Sequence, residues 1–353
     1  MNLENLGYND KIHSLRIENK LMDLEIGRIV SEHKERYIVV TGKGEFDAEI
    51  TGNMRFTARS REDFPAVGDW VALTIYDNGF SLIHKILPRL SMISRRAVGH
   101  TGEIQLIACN IDYALLVQAV DRDFNINRLE RYLSICNTSH VKPIILLTKT
   151  DLISNEYKSF IINSINQRIK NIAIFAISNK TFDGFDELNM IFEKSKTYCL
   201  LGSSGVGKST LLNNLKGKDV MKTDTISKSN NKGRHITTYR ELCLLENGAI
   251  LIDNPGMREV GIADNTSGLE ATFDLISRLS ENCRFKDCTH TTEKSCSVIK
   301  AMEKGELDKN AYENYLKMLK EKSHFESTVA EKRKKDKNFG KMLKNYKKNM
   351  RDY

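Results

Sequence analysis

The chain has 353 residues, 40% of them hydrophobic and 28% charged, which suits two or three packed domains. Its 4 Pro and 21 Gly exclude a collagenous or low-complexity class, and no apolar run approaches the ~20 residues of a membrane-spanning helix. The formal charge of +8 is concentrated at one end, because residues 331–353 carry ten basic and three acidic side chains, a net +7.

The first 90 residues read as an N-terminal extension followed by short strands. Gly27–Val30, Tyr37–Val40, Phe46–Ile50 and Trp70–Leu73 are strand-like, and Ser81–Ile83 and His84–Leu87 follow. Breaks at Thr41–Gly44 and at Asp77-Asn78-Gly79 suit hairpins. About five short strands in ~70 residues predict a small barrel of the OB type. Residues 91–104 read as a linker to a core over 105–270.

That core contains a base-reading motif. Val141–Leu147 is a buried-strand pattern that ends in Thr148-Lys149-Thr150-Asp151. Open α/β sheets place ligand contacts at such strand ends. Asp151 can accept hydrogen bonds from guanine N1–H and the 2-amino group, which adenine does not present. Lys149 can lay its alkyl stem along the base. Asn is the usual first residue of this motif, and Thr148 lacks the amide that braces the neighbouring loop. Ile172–Ile177 then reads as a strand ending in Ser178-Asn179-Lys180, where Ser-Ala is common and a backbone N–H meets the guanine carbonyl. Asp186-Glu187-Leu188 opens a helix.

Thr197–Leu201 reads as a short buried strand. It leads into Gly202-Ser203-Ser204-Gly205-Val206-Gly207-Lys208-Ser209, which matches the G-x-x-x-x-G-K-[ST] phosphate-binding loop at every position. Such a loop curls backbone N–H groups around phosphates, and the helix that follows, Ser209–Leu215, directs its N-terminus at them. Lys208 supplies charge to the β- and γ-phosphates and Ser209 a hydroxyl to Mg²⁺. Thr210 is assigned to the same nucleotide site.

Asn231–Thr238 is a polar loop in which Thr237 and Thr238 are candidates to complete the Mg²⁺ shell, Thr237 being preferred. Ala249–Asp253 is an apolar strand delivering Asp253 to the metal, followed by Asn254-Pro255-Gly256. Gly256 can offer its N–H to the γ-phosphate and respond when that phosphate leaves. The base motif therefore precedes the phosphate loop, the reverse of the usual order. This order predicts a circularly permuted GTPase whose last switch strand runs directly into the C-terminal region.

Cys109, Cys136, Cys199 and Cys243 are scattered in apolar segments and read as core residues. Cys283, Cys288, His290 and Cys296 form C-x₄-C-x-H-x₅-C in a polar stretch. Three thiolates and one imidazole suit a closed tetrahedral Zn²⁺ site of structural type. No secretory signal stands at the start of the chain, so reduced thiols are expected. A helical zinc domain is expected over 271–330 and a basic tail over 331–353. That tail, with Phe339 and Tyr346 interleaved, suits a polyanion such as RNA.

Taken together, the chain resembles the small ribosomal subunit biogenesis GTPases of the RsgA (YjeQ/YloQ) type. The likeness rests on Pro65-Ala66-Val67-Gly68-Asp69-Trp70, on Asn110-Ile111-Asp112, and on the base and phosphate motifs. It rests also on Gly233-Arg234-His235-Ile236-Thr237-Thr238, on Asp253–Gly256 with Met257-Arg258-Glu259, and on Cys283-Arg284-Phe285 through Cys296. In the family the switch motif usually reads GRHTTT, so Ile236 replaces a Thr. The resemblance implies an OB barrel, a circularly permuted GTPase and a helical zinc domain.

The resemblance further implies GTP hydrolysis stimulated by the small (30S) ribosomal subunit late in its maturation, with 16S rRNA as a contact and release on hydrolysis. It makes His235 the candidate for orienting the attacking water, since Met257 is apolar where Ras-like enzymes place Gln. His235 could alternatively pack or cap its loop. A cytoplasmic monomer without membrane attachment is expected. The rival readings are a GTP-regulated RNA-binding module with negligible hydrolysis and a membrane-associated GTPase recruited by the tail.

Overall fold

The computed structural model describes residues 2–33, 36–76, 79–96, 104–121, 124–217, 240–253 and 266–322. Helix α1 (Asp10–Glu18) starts at Asn9, whose side chain accepts from the backbone of Lys11 and Ile12. Strands β1 (Glu25–His33), β2 (Arg36–Thr41) and β3 (Gly44–Ile50) follow, then helix α2 (Gly52–Thr57), β4 (Trp70–Ile75) and β5 (Phe80–Ile86). The pairing runs β1-β2-β3-β5-β4, and β4 returns to β1, which closes a five-stranded barrel. Its interior is built from alternating inward residues, among them Ile29, Tyr37, Val39, Val71, Leu73 and Ile83. The two segments read separately as Ser81–Ile83 and His84–Leu87 are one strand. A bulge where Ala72 and Leu73 face Lys85 and Ile83 absorbs the change of register.

The segment read as a linker contains strand β6 (Met92–Arg96), which pairs antiparallel with β7 (Ile104–Cys109) in a sheet of its own. Beyond it come β8 (Tyr113–Ala119), α3 (Ile126–Thr138), β9 (Lys142–Thr148), α4 (Asn155–Arg168), β10 (Ile174–Ala176) and α5 (Phe185–Met190). Then follow β11 (Thr197–Leu201), α6 (Lys208–Lys216), β12 (Arg240–Leu244) and β13 (Ile250–Asp253). These strands lie in the order β10-β9-β8-β11-β13-β12, all parallel except β12. The phosphate-loop strand β11 is thus central. Its neighbours on one side precede it in the chain and those on the other side follow it, as a permuted core requires. Ala114–Ala119 of β8, Ile144–Thr148 of β9, Thr197–Leu201 of β11 and Ile250–Ile252 of β13 are buried, as expected of parallel strands covered on both faces.

The barrel and the core share one sheet. A bulge at Val30 redirects β1, so that Ser31 and Glu32 pair with Glu241 and Arg240 of the edge strand β12. Arg28 is fully buried at this junction. Its guanidinium donates to the carbonyls of Leu6, Gly68 and Asn110 and to Thr197 Oγ1, the first residue of β11. Burial lowers its pKa to about 10 against the opposing pull of Asp112 and Asp69. Gly68 stands at φ +94°, and a Cβ there would lie 2.1 Å from the Cys109 carbonyl oxygen, so only glycine fits. Asp69 holds Arg89 through both carboxylate oxygens, at 2.7 and 2.9 Å.

The C-terminal unit comprises α7 (Thr266–Thr272), α8 (Asp274–Ser280), α9 (Ser297–Glu303) and a helix over 309–322. Leu269, Phe273, Ile276, Val298, Leu307 and Met318 form its own core. It docks on α3. A Cβ at Gly268 would lie 2.0 Å from Thr138 Oγ1, so α7 reaches α3 only because that position is bare. No helix among the described residues is long and apolar enough to cross a membrane.

Candidate functional site

The parallel strands bring their C-terminal ends to one edge of the sheet, and the nucleotide motifs meet there. The phosphate loop follows β11, the base motif follows β9, Ser178-Asn179-Lys180 follows β10 and Asp253 ends β13. This edge is where open α/β sheets bind ligands. Gly207 takes φ +94°, a left-handed turn that starts α6 and aims its first N–H groups into the loop.

Lys208 Nζ donates to the carbonyls of Gly202 at 2.7 Å and Ser203 at 2.6 Å, so the ammonium lies inside the curl of the loop. Burial pulls its pKa down to about 8, opposed by Asp253. Burial likewise raises the Asp253 carboxyl, opposed by Lys216 and Lys208. Ser209 opens α6 immediately after Lys208. The hydroxyl of Ser209 and the carboxylate of Asp253 are hard oxygen donors suited to Mg²⁺.

The base side is a connected network. Thr148 is fully buried, and its hydroxyl donates to the Val206 carbonyl at 2.6 Å. The expectation that a Thr leaves the neighbouring loop unbraced is therefore corrected: the shorter side chain reaches the phosphate loop through its hydroxyl. Lys149 adopts the left-handed conformation at φ +62° and pairs with Asp121 at 2.6 Å. That ion pair fixes the ammonium. Asp151 is exposed and accepts from Ser178 Oγ at 2.7 Å. Ser178 Oγ in turn accepts from the backbone N–H groups of Lys180 and Thr181. The Asn179 amide donates to the Gly207 carbonyl at 3.2 Å, and Asn214 of α6 donates to the Asn179 carbonyl at 3.0 Å.

Of the other predicted site residues, Ser203, Ser204, Gly205 and Thr210 lie in the phosphate loop and the first turn of α6. Thr150, within the base motif, is buried. His235, Ile236, Thr237, Thr238, Gly256 and Met257 lie outside the described residues, as does the 331–353 tail. Sequence reading missed Asp121, whose signal was a carboxylate closing the apolar run of β8. It also missed the side-chain roles of Ser178 and Asn179.

The four predicted metal ligands converge in the C-terminal unit. Their ligand atoms all lie within 4.8 Å of one another. Cys283 Sγ is 3.8 Å from Cys296 Sγ and 3.6 Å from His290 Nδ1, which is 3.4 Å from Cys296 Sγ. A tetrahedron of donors about 2.3 Å from a central Zn²⁺ has edges of roughly 3.8 Å, so the donor set fits that ion. His290 takes φ +60°, and the Tyr312 hydroxyl donates to its carbonyl, which ties the ligand loop to the last helix. The cluster can hold a metal ion.

A family model described as RsgA GTPase matches residues 86–263. An ABC transporter model matches residues 185–348, a span that includes the phosphate loop but not Thr148–Asp151. Small ribosomal subunit biogenesis GTPase RsgA 1 of Bacteroides thetaiotaomicron is 39% identical over 98% of this chain and 97% of that protein. The protein of that name from Listeria monocytogenes is 42% identical over 84% of each chain. Among solved structures, YjeQ from Thermotoga maritima superposes with a TM-score of 0.62 at 24% identity, over 84% of this chain and 98% of that one. YloQ, a circularly permuted GTPase, gives 0.61 at 25% identity, over 85% and 96%. The chain belongs to the RsgA family of circularly permuted GTPases.

Proposed function

We propose that the protein hydrolyses GTP to GDP and phosphate as a late assembly factor of the small (30S) ribosomal subunit, and leaves the subunit on hydrolysis. The observation that carries this reading is the meeting of base-reading and phosphate-binding residues at one sheet edge, joined by the Thr148 to Val206 hydrogen bond. The relatives named for small ribosomal subunit biogenesis support the ribosomal part of it.

Asp151 reads the guanine edge, and the Asn179 N–H meets the guanine carbonyl. Lys208 neutralises the β- and γ-phosphates together with the backbone N–H groups from Gly202 to Thr210. Ser209, Asp253 and Thr237 would hold Mg²⁺, which when bound offsets charge building up on the phosphates. A water attacks the γ-phosphorus in line, the bond to the β–γ bridging oxygen breaks, and the water's proton passes to the departing phosphate. His235 accepts a hydrogen bond from that water through a neutral imidazole. Gly256 senses the loss of the γ-phosphate through its N–H.

Cys283, Cys288, His290 and Cys296 would hold one structural Zn²⁺. The sequence reading divides the chain into an extension and barrel over 1–90, a connection over 91–104, the GTPase over 105–270, the zinc unit over 271–330 and a basic tail over 331–353; because the boundary at 270 falls inside α7, whose Leu269 packs in the C-terminal core, the zinc unit is taken to begin at Thr266. The tail contributes charge toward 16S rRNA. The protein acts as a cytoplasmic monomer. The test is GTP turnover with and without purified small subunits. A marked rise on adding them is expected, and an unchanged rate would remove the ribosomal reading.

A further inference from the structure

We infer that Asn179 is a positioning residue for nucleotide binding, whose side-chain amide does part of the bracing that an Asn at position 148 would supply. The inference rests on the guanine-nucleotide reading of this edge.

The phosphate loop presents two consecutive carbonyls, of Val206 and Gly207, to the base-side loops. A threonine hydroxyl has one proton to give, whereas a carboxamide has two. Thr148 spends its single proton on Val206. It has none left for Gly207. The amide that reaches Gly207 comes from the next loop, through Asn179 Nδ2 at 3.2 Å. Position 179 is where such proteins commonly carry a small residue after the serine. The chain therefore departs from the usual pattern twice, and the two departures meet on neighbouring atoms. A carboxamide one βα unit along the chain thus reaches the carbonyl next to the one that Thr148 holds.

The orientation of this amide is determined by its surroundings. Turning it over would set Oδ1 against the Gly207 carbonyl, two acceptors face to face. Gly207 also accepts the first helical bond of α6, from Leu211 N at 2.9 Å, so its oxygen is the point where loop becomes helix. The Asn214 bond to the Asn179 carbonyl fixes the backbone from which the amide projects. Asn179 Oδ1 is buried and has no hydrogen-bond partner among the described residues. An arrangement that leaves a buried acceptor unsatisfied is costly and weakens any purely stabilising account of this side chain. Its benefit lies in holding the base loop and the phosphate loop in register, so that one nucleotide can touch both.

The experiment is titration of full-length protein with a fluorescent GDP analogue, for the wild type, N179A, T148N and the N179A/T148N double variant. Replacement by Ala keeps the backbone N–H that would face guanine, so it removes only the amide. N179A is expected to bind about tenfold more weakly, and T148N in that background to restore affinity to within about threefold of wild type. In steady state N179A should raise KM for GTP by a similar factor and leave kcat within about twofold, because the γ-phosphate side is untouched. Affinity of N179A within twofold of wild type, no recovery in the double variant, or an equal loss of kcat would each overturn the inference. Recovery by T148N also separates positioning from simple misfolding, which a second substitution at another loop would not reverse. If wild-type protein fails to bind the analogue, the guanine reading itself falls.

Discussion

Glu130 on α3 accepts a buried 2.6 Å hydrogen bond from the Asn314 side chain of the C-terminal helix. The same carboxylate holds Arg168, the last residue of α4, through both oxygens at 2.7 and 3.1 Å. Arg131 adds a bidentate pair to Glu321 across the same boundary. The C-terminal unit is thus seated on the helices that follow β8 and β9, the strands carrying Asp121 and the base motif. The chain order alone suggested attachment through the last switch strand. Among the described residues the docking contacts lie on the base side of the core.

Breaking the Glu130 junction should loosen this seat. Glu130 and Arg168 are 4% and 11% exposed at their side chains, and removing one partner of such a pair strands the other. Glu130→Ala is expected to cost about 3 kcal/mol. A double-mutant cycle with Asn314→Ala, followed by urea denaturation, should give a coupling above roughly 1 kcal/mol. Additive effects would place the docking energy elsewhere.

Base selection should be reversible by one atom's chemistry. Asp151 offers only acceptors to the base, and Ser178 fixes its orientation. Asp151→Asn converts one acceptor to a donor, which suits the 2-oxo group of xanthine and opposes the 2-amino group of guanine. GTP affinity should fall about a hundredfold or more while XTP binding appears. Competition between the two nucleotides checks this directly.

Nucleotide binding should weaken in mild alkali. The Lys208 ammonium titrates at about 8 because burial favours its neutral form. Phosphates favour the charged form, so binding takes up a proton once the pH passes that value, and affinity is lost as pH rises. Between pH 7 and 8.5, GDP affinity measured without divalent metal should fall about fourfold, since the phosphates are already ionised over that range. Calorimetry in two buffers of different ionisation enthalpy should register the proton uptake at pH 8.5 and little at pH 7.

Metal removal should act locally. Cys288→Ser is expected to abolish the bound zinc measured by atomic emission. It should also speed hydrogen exchange across residues 266–322, whose core includes Cys296 and Tyr312. Strands β8, β9 and β11 have separate cores and should keep their protection. Unchanged zinc content would count against the four-residue site.

Much of the nucleotide edge was legible because its chemistry is local. A phosphate loop needs glycines, a lysine and a hydroxyl at fixed spacing, and a strand before it, all within about a dozen residues. The base motif and Asp253 are likewise single strand ends. What was not legible is long-range. The Thr148 hydroxyl and the Val206 carbonyl are 58 positions apart, and no spacing rule says that a hydroxyl will reach where an amide is usual. Lys149 and Asp121 are 28 apart, and only the parallel packing of β8 against β9 brings them together.

The barrel shows the same division. Alternation and turn residues announced its strands, because a half-buried strand must place every second side chain inward. Closure of β4 onto β1, and the bulge that sends β1 on to pair with β12, depend on register between distant segments. Arg28 is the extreme case. In the sequence it is one charged residue in a strand, and in the fold it binds four segments between Leu6 and Thr197.

Sequence by itself determined the kind of protein, since the motifs are short and their reversed order already implies a permuted core. Tertiary structure alone decided how the parts hold one another: which side chain braces the phosphate loop, where the C-terminal unit sits, and what joins barrel to core. The physical reason is range. Backbone conformation and ligand chemistry are specified by neighbours along the chain, whereas buried hydrogen bonds between remote side chains exist only once packing has brought them within about 3 Å.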